Sequence, residues 1–361
     1  MRFSVGRVVP LLLLTGLLVV PARPGQAAPA DQAGTPSARA AGSSFAMGDP
    51  DTVLAEDGRY VTYGTTVPPK RGDRCSPAAR GKLYVPMLVH GGGAEVGLTD
   101  CASGDALPGG PGAWAVLDSG IWAPGVARYK GRWLMYYTAS KRGTGRKCLG
   151  LAVSGSAYGP FRDAGSFVCP ADRWAIDANP VVRDGTLWVA YRDDGVTSGP
   201  ETAISVVRAD RRGRAVPGSR RTLLRSTDIA WDTRGTDSGS HVVENPSLFA
   251  HKGRWHLAFA GNQWASPRYA TGLAECGPAS ARPGPCRLLR DGANRPYFGF
   301  VGPGGIGPYR RLPGNRRGPG GLDVYTAAGG GLRVTWHWYD GRLRHPTTGT
   351  LTHGRGGFRV D

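Results

Sequence analysis

Five stretches of this chain repeat one pattern, and that repetition limits the fold more than any other feature. They are "GDPDTVLAEDGRYVTYGTT" from Gly48, "WAPGVARYKGRWLMYYTAS" from Trp122, "IDANPVVRDGTLWVAYRDD" from Ile176, "VVENPSLFAHKGRWHLAFAGN" from Val242 and "GPGGLDVYTAAGGGLRVTWHWYD" from Gly318. Each joins a short apolar run to a second run rich in Tyr, Trp and Val through a turn containing Gly. That is the mark of a β-hairpin. The motif returns every 55 to 75 residues, roughly, which is enough chain for a four-stranded sheet with variable loops. No stretch of helical periodicity competes with it.

A small antiparallel sheet needs neighbours to cover its faces, and radial closure of repeated sheets supplies them. The expected fold is therefore all-β, a five-bladed β-propeller. A β-sandwich built from similar hairpins would not explain the regular return of one motif. In a propeller the first strand of each blade lines the central channel, so the residues that start those strands converge on one face. Four of the five segments carry a proline there, Pro50, Pro124, Pro180 and Pro246, a place where no ladder donor is lost.

Beside these prolines stand Asp49, Ala123, Asn179 with Asp177, and Asn245 with Glu244. Asp49, Asp177 and Glu244, from the first, third and fourth repeats, are thus expected to meet near the axis. Asp51 is expected to turn away from Asp49's neighbours. Carboxylates gathered without a metal repel one another and their pKa values separate, so one stays protonated while another is ionised. Cleavage of a glycosidic bond requires that division of labour. Trp122, at the start of the second repeat, is expected to form a sugar-stacking wall. The returning strands carry Arg192, Asn262 and Trp264 toward the same face as further substrate-binding candidates.

Other chemistries find little support. There is no HExxH zinc motif, no Walker phosphate loop and no GxSxG nucleophile elbow. "GPGGIGPYRR" and "RRGPGGLDV" are rich in glycine, but neither follows a strand and opens a helix as a nucleotide fingerprint should. They read as tight loops.

The first 28 residues, with two early arginines, a short apolar run and a small-residue exit, have the form of a secretory signal peptide cleaved near Ala27 or Ala28. The apolar run is too short to span a bilayer comfortably, so no stable membrane insertion is expected. Residues 29–44 read as a flexible linker, and residues 45–361 as the propeller domain. Export to the extracellular space makes six widely spaced cysteines a disulfide set, and pairing in chain order, 75–101, 148–169 and 276–286, closes three local loops. The formal net charge is +18. Such a charge permits attraction to acidic polysaccharide, but the arginines are scattered and read as solvated surface. Nothing points to nucleic acid.

At the repeat starts the sequence resembles glycoside hydrolase family 43, five-bladed propellers acting on arabinose- and xylose-containing glycans. The resemblance rests on "GDP", "WAPGV", "CLGLAVSGSAYGPF", "IDANP", "VENP" and "GPGG" in that order, and covers residues 45–361. It implies an inverting hydrolase with Asp49 as catalytic base, Asp177 as the orienting aspartate and Glu244 as the acid. It implies a monomer with a polysaccharide or oligosaccharide as its partner, and no required cofactor. The fifth blade of that family commonly carries Gly-Pro-Gly-His, whose histidine can touch a central calcium; here that position is Gly321. The alternative is a propeller that binds carbohydrate without cleaving it.

Overall fold

The computed structural model describes residues 45–67, 82–91, 102–194, 201–232 and 241–361. The expected signal peptide, the linker and the Cys75–Cys101 pair lie outside the described residues.

Five sheets follow one another along the chain, each an antiparallel meander from an inner to an outer strand as the repeats predict, with one parallel pair, Phe298–Gly299 and Arg310–Arg311, at the outer edge of the fourth. Blade 1 runs Asp51–Leu54, Tyr60–Tyr63, Pro86–His90 and Gly104–Asp105. Blade 2 runs Trp122–Tyr129, Arg132–Ser140, Lys147–Ser154 and Arg162–Val168. Blade 3 runs Trp174–Arg183, Thr186–Asp194, Thr202–Ala209 and Arg221–Arg225. Blade 4 starts with Val243–His251, Arg254–Gly261 and Ala270–Pro278, and short outer strands at Arg287–Leu288 and Phe298–Gly299 both pair with the third. Blade 5 runs Gly320–Thr326, Leu332–Tyr339, Arg344–Gly354 and Gly357–Val360.

Period-two alternation in the second strands binds neighbouring blades together. In "WLMYY", Met135 and Tyr137 pack with Val61, Tyr63 and Phe161 towards blade 1. Leu134 and Tyr136 point the other way and pack with Leu187, Val189 and Tyr191 of blade 3. The same logic places Trp255, Leu257 and Phe259 against Ile204 and Val206, and Ala258 against Trp336 and Phe358. Each large side chain buried in this way is worth about 1.5–3 kcal/mol. The ring closes through side chains: the Thr52 N–H donates to Asp323 Oδ2 at 2.8 Å, and the Thr52 and Thr335 hydroxyls lie 2.8 Å apart. Disulfides Cys148–Cys169 and Cys276–Cys286 form as expected.

One irregularity recurs and sets the site. In blades 2 to 5 the inner strand gains one residue on its partner, between Trp122 and Gly125, Ile176 and Asn179, Glu244 and Ser247, and Gly320 and Asp323. Within each bulge sits a residue with positive φ: Ala123 (37°), Asp177 (57°), Asn245 (46°) and Gly321 (56°). Asp49 (54°) holds the matching place in blade 1. A bulge bends its strand and re-aims a side chain. Holding a residue other than glycine in this region costs about 1 kcal/mol or more, and such strain gathers at functional sites.

This corrects the proline-based alignment. Asp177 matches Asp49, with Ala178 in the proline's place, and Pro180 lies two residues deeper. In blade 4 it is Asn245 that holds the axial place, and Glu244 precedes it.

Candidate active site

The five positive-φ residues ring a small axial cavity of about 30 Å³, room for a water or two. Three positions per blade build the walls. The first is the bulge residue. The second is the residue of the second strand opposite the bulge: Thr138 faces Trp122, Arg192 faces Ile176, and His337 faces Gly320. The third lies near the start of the third strand, where Lys147, Thr202, Tyr269 and Arg344 occupy matching places in blades 2 to 5.

Asp49 receives four partners. Arg344 Nη1 donates to its Oδ1 at 2.6 Å, the Thr65 hydroxyl to its Oδ2 at 2.6 Å, and Asn245 Nδ2 to its Oδ1 at 3.2 Å. Its backbone N–H donates to His337 Nδ1 at 3.1 Å. Burial alone would raise this carboxyl, but the Arg344 guanidinium, with the Thr65 and Asn245 hydrogen bonds, outweighs burial and holds it below the usual carboxylate range. Gly48 makes this possible, since a Cβ there would lie 2.1 Å from the Arg344 guanidinium carbon.

Glu244 is held by two donors, Arg192 Nη1 to Oε2 at 2.5 Å and the Tyr269 hydroxyl to Oε1 at 2.9 Å. Asp177 donates its backbone N–H to the Thr138 hydroxyl at 3.2 Å and accepts the Asn245 N–H on Oδ2 at 3.1 Å. Burial, then the nearby charges of Glu244 and Asp49, push the Asp177 carboxyl well above its ordinary range. Asn245 ties the group together, for its side-chain amide also donates to the Tyr269 hydroxyl at 2.9 Å. Three hydrogen bonds in series thus run from Asp49 Oδ1 through Asn245 and Tyr269 to Glu244 Oε1.

The three expected carboxylates therefore meet, and Arg192 joins them. Trp264 stands at the rim, 44% exposed, edge-on to Tyr339 at 5.8 Å and with the Arg344 guanidinium 4.9 Å from its ring centroid. Trp122 is half-buried with Lys147 Nζ 3.6 Å from its ring centroid, so that cation covers one face. Asn262 is placed differently from the others. It is buried, and its amide donates to the Trp231 and Arg268 carbonyls at 3.2 and 3.1 Å, holding a loop.

Asp51 differs from expectation, because alternation restores the same face after two residues. It lines the channel one layer deeper, and burial followed by the charge of Asp323 pushes its carboxyl well up. Burial likewise lifts Asp323 to about 6. Beyond them the channel widens into a cavity of about 460 Å³ on the far side. Sequence reasoning missed Tyr269, Arg344 and His337. Their signal was positional: each stands where a hairpin strand passes the top of the channel.

Residues 104–298 match the family described as "Glycosyl hydrolases family 43". An extracellular endo-alpha-(1->5)-L-arabinanase of Thermotoga petrophila is 36% identical over 100 residues, which are 22% of this chain and 21% of that protein. The matched stretch thus spans about a fifth of that relative's length. The structure resembles a thermostable family-43 glycoside hydrolase, with a TM-score of 0.67 and 21% identity, covering 88% of this chain and 93% of the other. It also resembles an endo-arabinase from Bacteroides thetaiotaomicron, with a TM-score of 0.62 and 17% identity, covering 89% and 100%. The structural likenesses speak for the fold, and the sequence match for the lineage: this chain belongs to glycosyl hydrolases family 43.

Proposed function

We propose that this protein is an exported glycoside hydrolase that cleaves arabinose- or xylose-containing glycans with inversion at the anomeric carbon. Asp49 is the base that takes a proton from the attacking water. Glu244 is the acid that protonates the leaving oxygen, and Asp177 orients the sugar between them. Arg192 keeps the Glu244 carboxyl in place, while Trp264 at the rim and the uncovered face of Trp122 offer aromatic surface to the sugar.

The observation that carries this reading is the unequal treatment of the carboxylates. Asp49 sits against a guanidinium and stays ionised, as a base must. Asp177, hemmed in by Glu244 and Asp49, resists ionisation, so two carboxylates of one cluster are held in opposite protonation states, the separation that acid–base cleavage draws on. The series of bonds at 3.2, 2.9 and 2.9 Å caps the separation of Asp49 Oδ1 and Glu244 Oε1 at about 9 Å. Both carboxyls are thus close enough to act on one sugar, as glycosidic cleavage by a pair of carboxylates requires.

No step is routed through a metal. Gly321 offers no donor, His337 Nδ1 is engaged by the Asp49 N–H, and among the described residues no group of three or more His, Cys, Asp or Glu is placed to hold an ion. The buried His337 Nε2 has no hydrogen-bond partner, but one ring nitrogen beside Gly321 is a poor match to the about 6–8 oxygen ligands that calcium takes. Export is supported by the two disulfides, by the form of the leader and by the extracellular relative. No helix among the described residues is long and apolar enough to cross a membrane.

Release of reducing sugar from a panel of arabinan, arabinoxylan, xylan and galactan tests the proposal. Turnover of an arabinose- or xylose-containing member, strongly reduced by Glu244→Gln, is expected. Binding without turnover on every member would contradict it and favour the carbohydrate-binding alternative.

A further inference from the structure

The glycine pair Gly320–Gly321 is more than a loop element. A Cβ on Gly320 would lie 2.0 Å from Tyr269 Cε1, and one on Gly321 would lie 2.8 Å from His337 Nδ1. Contacts that short do not occur, so each glycine clears the place of one ring. The two rings stack, with centroids 5.6 Å apart and planes 11° from parallel. Both are fully buried.

Each ring holds one arm of the site. Tyr269 donates its hydroxyl proton to Glu244 and accepts from Asn245. His337 accepts the backbone N–H of Asp49, the residue whose left-handed conformation aims its carboxyl at the axis. Burial, then the Arg344 charge, lowers the His337 pKa to about 3, so the ring stays neutral and Nδ1 remains an acceptor. The stack therefore joins the two carboxylates by a second route, parallel to the hydrogen bonds through Asn245.

Resting on the reading of Asp49 and Glu244 proposed above, we propose that Tyr269 and His337, seated on Gly320–Gly321, form a positioning unit that fixes Glu244 relative to Asp49 for the chemical step. Neither ring carries out proton transfer in the reaction. Tyr269 acts through the Glu244 carboxyl and His337 through the Asp49 backbone and the plane of Tyr269. A unit of this kind serves the transition state rather than ground-state binding, because a displacement of even 1 Å in a reacting group costs about a hundredfold in rate. Its removal should appear in kcat and leave KM nearly unchanged.

Steady-state kinetics of full-length variants on the glycan turned over in the panel provide the test, with melting temperature as the control for folding. Tyr269→Phe keeps the ring and loses the donor; kcat should fall about 10–100-fold, the scale of one hydrogen bond to a charged group, with KM within about twofold. On a Glu244→Gln background the same change should cost much less, since interacting groups are not additive. His337→Asn retains an acceptor near Nδ1 and should recover part of the kcat lost in His337→Leu. The proposal is overturned if Tyr269→Phe leaves kcat unchanged, raises only KM, or costs as much on the Glu244→Gln background as in the parent. It is also overturned if the asparagine variant at 337 is no better than leucine in kcat at equal melting temperature. Full activity in Glu244→Gln alone would instead overturn the assignment of the acid, so the two failures can be told apart.

Discussion

Arg344 Nη1 lies 2.6 Å from Asp49 Oδ1, beside an axial carboxylate that burial alone would protonate. The pair joins the third strand of blade 5 to the start of blade 1, so the seam where the ring closes also sets the charge of the proposed base. A buried carboxylate without its cation takes up a proton more readily.

Arg344→Met should therefore move the acid limb of the kcat/KM profile to higher pH, since Asp49 must be ionised to act. The loss of activity relative to the parent should be larger at pH 5 than at pH 7. A pH–rate profile on one soluble oligosaccharide measures it. An acid limb unmoved in a folded variant would separate Arg344 from the base.

Asp177 gives the opposite case. Its carboxyl is raised by burial and by Glu244 and Asp49, so its contribution to stability is full below the unfolded pKa and is lost as pH rises through the folded one. Asp177→Asn removes that loss. The variant should melt no lower than the parent at pH 7 and higher at more alkaline pH, while turnover falls. Thermal melts across pH, set beside kcat, check both halves; a lower melting temperature at alkaline pH would contradict the account.

The fold was legible because the hairpin motif recurs, and a repeated sheet has few ways to cover its faces. Asp49, Asp177 and Glu244 were legible for the same reason, as each stands at a strand start. The bulge was not, and it decides the details. One added residue in the inner strands of blades 3 and 4 moves Asp177 into Asp49's place and brings Asn245 to the axis, while plain alternation leaves Asp51 facing the channel. Tyr269, Arg344 and His337 come from second and third strands, whose register on the bulge no local pattern reveals. Asn262 is expected at the cleft because the returning strand of its hairpin leads to the channel face, and there its left-handed backbone and two carbonyl partners make it a loop clamp.

Glu244→Gln keeps the shape and hydrogen-bonding reach of the side chain and removes its proton chemistry. Turnover of a glycan with a poor leaving group should fall about 10²–10⁴-fold, the usual worth of general acid–base help. An aryl glycoside with a good leaving group should be affected much less. The ratio of the two losses is the informative quantity, and equal losses on both substrates would argue against an acid role.

The central claim, that Asp49 activates water while Glu244 protonates the leaving oxygen, is tested most directly by the anomeric configuration of the first product. Proton NMR of an early hydrolysis, read before the free sugar mutarotates, resolves the two anomers. A water between Asp49 and the sugar attacks from the face opposite the leaving group, so the first-formed product should carry the configuration opposite to that of the substrate. Retention of configuration would mean that a carboxylate attacks the sugar itself, and would contradict the roles assigned to Asp49 and Glu244.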